Sequence, residues 1–289
     1  MPTKSLSDLR VPFTLFIGML AIAFAAIFFK LASPTHPLVA SGLRLAIASV
    51  LLSPWLLRAL KRRTLSLSVM KAAVVASIFY AVHFGAWVWS LDLTTVAASV
   101  SLVTATPLML ALWGVVRRQD APTGGIWLAI AVSSLGVFIV SGADFEGSTL
   151  LGNALALLGA VAMAGYMLTV RRLGAIDVLA FGSATAGLAS IWLLSTAIFL
   201  GQSIVPPSPT AAFFILMAAL VPQIIGHSVI TWVLRYTTPT IVGLATLIEP
   251  VASSILAWVL LEERPGTMVF LGCGLTLIGV SIALLLKPR

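Results

Sequence analysis

"WSLDLTT" at residues 89–95 and "WVLRYTT" at residues 232–238 lie 143 positions apart. Both stretches start with Trp, hold Leu third and end in Thr-Thr. At the same offset Pro107 falls on Pro250, Pro122 on Pro265, and Gly136-Val137 on Gly279-Val280. No gap is needed from residue 89 to residue 140, and three long apolar blocks fall on three others. This register makes the chain two copies of one helical unit rather than a single array.

The composition says where such a unit lives. The 289 residues are 60% hydrophobic and 9% charged, against roughly 25% charged in a soluble domain. So much apolar surface belongs in lipid. The net charge of +8 comes from 17 Lys and Arg against 9 Asp and Glu. A nucleic-acid binder gathers its basic residues on a solvated face. Here they fall between hydrophobic blocks, so no nucleic-acid partner is expected. The one cysteine, Cys273, excludes an intramolecular disulfide and offers no metal cluster.

A spanning helix needs about 20 mostly apolar residues. Residues 11–29, 72–91, 93–116, 121–143, 147–170 and 265–286 carry no charge. The turn-rich "GQSIVPPSPT" (201–210) divides the uncharged run 178–234 into 178–200 and 211–234. Residues 38–57 contain Arg44, and 240–261 contain Glu249. The expectation is an all-α integral membrane protein with ten transmembrane helices. The first span, with "AFAA" at 23–26, competes with a signal-peptide reading. Its length and the repeat favour a span.

Lys and Arg mark the cytoplasmic side. With the N-terminus inside, that side receives Lys4, Arg10, Arg58, Lys61, Arg62, Arg63, Lys71, Arg117, Arg118, Arg171, Arg172, Arg235, Lys287 and Arg289. The other side receives Arg264, with Asp92, Asp144, Glu146, Glu262 and Glu263. Both termini are therefore expected in the cytoplasm. "RALKRR" (58–63) meets anionic lipid rather than a specific protein partner.

Two five-helix halves follow, residues 1–143 and 144–289. Five is odd, so the second half enters the membrane from the opposite side. Inverted repeats of this kind place a substrate site near the midplane, between the halves.

Three stretches carry a family likeness: "PLVASGLRLAIASVLL" (37–52), "GYMLTVRRL" (165–173) and "EPVASSILAWVLLEERPGTMVFLGCGLTLIGVSI" (249–282). With the ten-span layout they resemble the drug/metabolite transporter superfamily, EamA type, over essentially the whole chain. The chain departs from the family in helix one, "IAFAAIFFK" (22–30), where Trp-Gly is frequent. It also has Asp120 after the fourth helix where the second half has Glu263. The resemblance implies export of amino acids, drugs or other metabolites. The bacterial amino-acid exporters are the most alike in length and layout.

Polar residues inside lipid tend to face a cavity or a partner. Tyr80, His83, Phe84 and Trp87 recur at helical spacing in the third span, and Gln223, His227 and Thr231 in the eighth. Tyr80 falls on Gln223 in the repeat, while His83 and His227 are one position out of register. The two stripes are read as facing each other across a central cavity. Core packing with hydrogen-bonded histidines is the alternative, and Trp89 suits an interfacial belt.

The fourth and ninth spans add Ser99, Thr106, Thr246, Glu249 and Ser253 as cavity candidates, with Pro107 and Pro250 as hinges. Thr106 is the repeat counterpart of Glu249. Glu249 has two open readings. It contacts a substrate amino group or takes up a proton for coupling; or it is protonated, or paired with Lys30 or Arg44, and serves packing. Lys30 can snorkel outward, whereas Arg44 lies deeper and either pairs or lines the external path.

An intramembrane enzyme is the rival class, but Gly-x-Ser-x-Gly and His-Glu-x-x-His are absent and no acidic pair suits a metal. A channel or receptor lacks a filter-like loop or a signalling domain. The sequence therefore reads as a secondary transporter, with no cofactor and no obligatory protein partner. An aromatic cavity with one carboxylate suits zwitterionic or amphipathic metabolites, and lipophilic cations remain compatible.

Overall fold

The computed structural model describes residues 10–118, 122–142, 149–262, 264 and 266–286. Lys4, Asp120, Asp144, Glu146, Glu263, Pro265, Lys287, Arg289 and the boundary between 143 and 144 lie outside the described residues.

Every described element is helical. In chain order they are α1 (Arg10–Leu31), α2 (Pro37–Lys61), α3 (Leu67–Leu93), α4 (Val96–Val103), α5 (Thr106–Arg117), α6 (Gly124–Gly142) and α7 (Leu150–Arg171). Then come α8 (Val178–Phe199), α9 (Pro209–Ala218), a π-helical turn (Ala219–His227), α10 (Ser228–Val233), α11 (Pro239–Thr246), α12 (Ile248–Leu261) and α13 (Thr267–Leu285). Eight stretches are long and apolar enough to cross a membrane, and α6 and α13 supply two shorter apolar segments. The outer surface carries large apolar side chains such as Phe13, Val50, Leu57, Phe138, Phe199 and Val259, as a lipid-facing surface does. The chain is a multi-pass membrane protein.

The helix boundaries repeat at the offset seen in the sequence. Adding 143 to Val96–Val103 gives Pro239–Thr246, and adding 143 to Gly124–Gly142 gives Thr267–Leu285. The cause is visible at the Thr-Thr pairs. The Thr95 hydroxyl accepts the Ala98 N–H, and the Thr238 hydroxyl accepts the Ile241 N–H. Each is an N-cap satisfying an orphan donor at a helix start. The fourth and ninth spans are interrupted close to Pro107 and Pro250, the residues read as hinges. Each is two half-helices, broken at Thr104–Ala105 and at Leu247. Pro107 and Pro250 fall in the first turn of the second half-helix, where a missing N–H costs little.

Equivalent helices meet each other. α2 packs along α8, and α6 along α13. On the first pair Gly42 faces Leu194, Ser49 faces Ser183 and Leu52 faces Gly182. Numbers rise along one helix as they fall along the other, so the two run antiparallel. The Ser49 hydroxyl donates to the Ser183 carbonyl at 2.8 Å, and the Ser183 hydroxyl donates back to the Ser49 carbonyl at 2.9 Å.

The second pair is self-complementary. Gly136 lies against Gly272 and Thr276; its counterpart Gly279 lies against Ala129 and Ser133, the counterparts of Gly272 and Thr276. Residue i meets j while the equivalent of j meets the equivalent of i, as at a two-fold interface. Small residues let the backbones approach in the way lipid-embedded helices require. Thr276 and Ser133 each turn their hydroxyl back to the carbonyl four residues earlier, Gly272 and Ala129, leaving no unpaired group at the contact.

A methyl group at Gly279 would sit 2.6 Å from the Ser133 nitrogen and 2.8 Å from the Ala129 oxygen, both backbone atoms that cannot swing away. A methyl at Gly274, on the same helix, meets nothing within 4 Å. Gly279→Ala is expected to destabilise the detergent-solubilised protein by about 1–3 kcal/mol. Gly274→Ala is expected to be neutral or slightly stabilising. Thermal unfolding of the two variants checks the contact, and equal melting temperatures would refute it.

Candidate functional site

The inward faces of α3 and the α9–π–α10 helix meet at the centre. The Gln223 side-chain amide donates to the Tyr80 hydroxyl at 2.9 Å. These two residues are 143 apart, so a residue of the first half bonds to its own counterpart in the second. The Tyr80 ring stacks on Tyr166 with centroids 4.5 Å apart, and the Tyr166 hydroxyl lies 2.8 Å from that of Thr231. Tyr166, on α7, completes the cluster; its place among Ala and Gly residues in a seemingly ordinary sixth span gave no signal in the sequence.

The π-helical turn explains the register of the histidines. Tyr80 and Gln223 obey the 143 offset, whereas His83 and His227 are 144 apart. A π turn inserts one extra residue into a helix and is frequent at functional sites. Pro222 lies inside it and lacks the N–H that an α-helix would use. The inserted residue rotates His227 into the place His83 holds in α3. Their ring centroids are 6.4 Å apart.

His83 Nδ1 lies 2.9 Å from the Gly159 carbonyl oxygen. A carbonyl only accepts, so Nδ1 carries a proton, and in the neutral ring Nε2 is the acceptor. The His83 ring stacks against Trp87 with centroids 6.1 Å apart. Trp87 Nε1, His227 Nδ1 and Gln223 Oε1 are buried with no hydrogen-bond partner among the described residues. Unpaired polar groups in a membrane interior are costly.

His83, Trp87, Thr106, His227, Thr246 and Glu249 line one central cavity, with apolar contributions from α1, α7 and α10. Its volume is about 30 Å³, enough for a water molecule or two. The half-helix breaks form part of its wall: Thr104 lines it, and so does Glu249 at the start of α12. Thr104 also lines an apolar cavity of about 190 Å³ bounded by Pro107, Phe138 and Leu247.

Ser99 and Ser253 lie off this cavity. The Ser99 hydroxyl is 2.6 Å from that of Ser90, and the Ser253 hydroxyl donates to the Pro250 carbonyl. Tyr80 and Gln223 stand beside it, committed to each other. Glu249 is buried, and neither Lys30 nor Arg44 hydrogen-bonds to it. Lys30 lines a separate polar basin of about 650 Å³, formed with His36, Asp92 and Gln202 where α1, α2, α3 and α8 end.

Residues 10–142 and 150–285 each match the EamA-like transporter family. The chain belongs to that family. Members of the EamA-like family are transporters rather than enzymes, so this chain carries a small molecule across a membrane. A solved crystal structure shares the fold with a TM-score of 0.77, over 97% of this chain and 98% of its own, at 16% identity. No curated protein matches the chain. Among the described residues no group of three or more His, Cys, Asp or Glu is arranged to hold a metal.

Two measurements check the site. Tyr80→Phe removes the acceptor of the Gln223 amide inside a buried cluster and is expected to cost about 1–3 kcal/mol. A double-mutant cycle of Tyr80→Phe with Gln223→Leu should show coupling, and strict additivity would deny the bond. In the polar basin, His36 Nδ1 caps α2 by accepting the Leu38 N–H at 3.3 Å. Burial lowers the His36 pKa from 6.5, with Asp92 opposing the shift. The unfolded chain therefore takes up the proton first, and stability falls as pH drops through and below 6.5. His36→Asn keeps an acceptor and should flatten melting temperature against pH in that range; an unchanged slope would exclude His36 as its source.

Proposed function

We propose that this transporter exports small zwitterionic or amphipathic metabolites, amino acids foremost, by alternating access. In this reading residues 1–143 and 144–289 are inverted five-helix repeats, with ten spans and both termini in the cytoplasm of a bacterial cell. The antiparallel packing of α2 on α8 and of α6 on α13 supports the inversion.

The observation that carries the reading is the central cavity. Both halves line it, two broken helices form part of its walls, and its volume is about 30 Å³. An amino acid does not fit in that volume, so the cavity must open to admit one. The half-helices at Thr104–Ala105 and Leu247 supply joints at which it can do so. The aromatic walls and the apolar cavity beside Thr104 suit side chains of moderate hydrophobicity. The same aromatics, with Glu249, also support a multidrug reading, since lipophilic cations are held by ring faces and a carboxylate. Glu249 is the group available for proton coupling.

Counterflow of radiolabelled amino acids in reconstituted liposomes, with and without a pH gradient, tests this. Saturable counterflow is expected from the wild type, and Glu249→Gln is expected to abolish its response to the gradient. Ohmic conductance would contradict a carrier, and full gradient-dependent transport by Glu249→Gln would remove the coupling role.

A further inference from the structure

Arg44 is the largest fully buried side chain that carries a charge, with 0% of its surface exposed. None of its three guanidinium nitrogens hydrogen-bonds to any described residue, Glu249 included. Its partners are ring faces: the guanidinium carbon lies 4.3 Å from the Phe84 centroid and 5.4 Å from that of Phe29. Such contacts return part of the cost of desolvation. Glu249 acts on the guanidinium electrostatically but without a hydrogen bond, so no direct ion pair offsets the cost of burying it. A charge kept at that cost inside a membrane marks a functional site.

The rings over Arg44 pack behind the lining of the central cavity. Phe84 lies 5.1 Å from the cavity-lining His227 ring, and Phe29 lies 5.9 Å from the cavity-lining Trp87 ring. Phe84 and Phe29, backed by His227 and Trp87, therefore stand between the guanidinium and the chamber that holds Glu249. The repeat sharpens the point. The counterpart of Arg44 is Gly187, and the counterpart of Glu249 is Thr106. Among the described residues each half buries one charge that the other lacks, and the two are opposite in sign.

We propose that Arg44 is the anion-recognising group of the substrate site. When Phe29 and Phe84 move aside, it binds the carboxylate of a zwitterion whose amino group faces Glu249. A planar guanidinium suits a carboxylate because it donates two parallel hydrogen bonds. This inference rests on the amino-acid reading above and names how the substrate is oriented.

Liposome counterflow with phenylalanine and with phenethylamine, the same molecule without its carboxylate, separates the possibilities. Arg44→Gln is expected to lower phenylalanine transport about tenfold or more and to leave phenethylamine transport unchanged. Arg44→Lys, with the charge but not the fork, should restore only part of the loss. Equal loss for both compounds by a monodisperse Arg44→Gln protein, or no loss for phenylalanine, overturns the inference. Phenylalanine methyl ester provides an arm that needs no variant. It is expected to compete weakly on the wild type, and competition equal to that of phenylalanine overturns the inference even if Arg44→Gln does not fold. Wild-type transport of phenethylamine without phenylalanine overturns both the inference and the amino-acid reading, while leaving the multidrug reading standing.

Discussion

The rest of the molecule depends on the antiparallel contact between equivalent helices. Lipid forbids unpaired backbone groups and gives helices little apolar incentive to associate. Close backbone approach through small residues supplies the attraction instead, and Gly136 against Thr276 and Gly279 against Ser133 provide it twice. That symmetry brings α3 and the α9–π–α10 helix together at the centre, where Tyr80 bonds to its own counterpart Gln223. A cavity at such a place is necessarily lined by both halves.

The departures from symmetry lie where the chemistry is. Thr106 faces the cavity from the first half where the second supplies Glu249. Arg44 stands where the second half has Gly187. The π-helical turn is confined to the second half, and its extra residue brings His227 opposite His83. A symmetric frame can exchange its two conformations between halves at similar free energy. A small molecule with distinct ends needs unlike groups to hold it, and only the asymmetric residues provide them.

The frame was legible because helix starts are written locally. Thr95 and Thr238 are caps at the repeat offset, and the gapless alignment after them carries α4, α5 and α6 onto α11, α12 and α13. Much of the cavity lining was legible too, since an intramembrane His or Glu has few bland explanations. What stayed hidden depends on three-dimensional approach. Ser99 and Ser253 share a helix face with cavity residues, yet their hydroxyls are taken by Ser90 and by the Pro250 carbonyl. Tyr166 gives no periodic signal, because it is the one aromatic side chain of α7, set among Ala, Gly and Met. The π turn is invisible to a 3.6-residue period. It announced itself only as the one-residue mismatch between the histidines.

The central claim is that the two halves exchange conformations about this axis, so that the chamber opens on one side as it closes on the other. Thr35 and Ser203 both line the polar basin that holds Lys30. Their counterparts at the 143 offset are Val178 and Leu60 at the opposite ends of the same helices. Spin labels placed on each pair, in a Cys273→Ser background, report both openings by pulsed dipolar spectroscopy. The account predicts two distances for each pair, with added substrate shifting the populations of the two pairs in opposite directions. A single unchanging distance on both sides, or widening of both together, would contradict it.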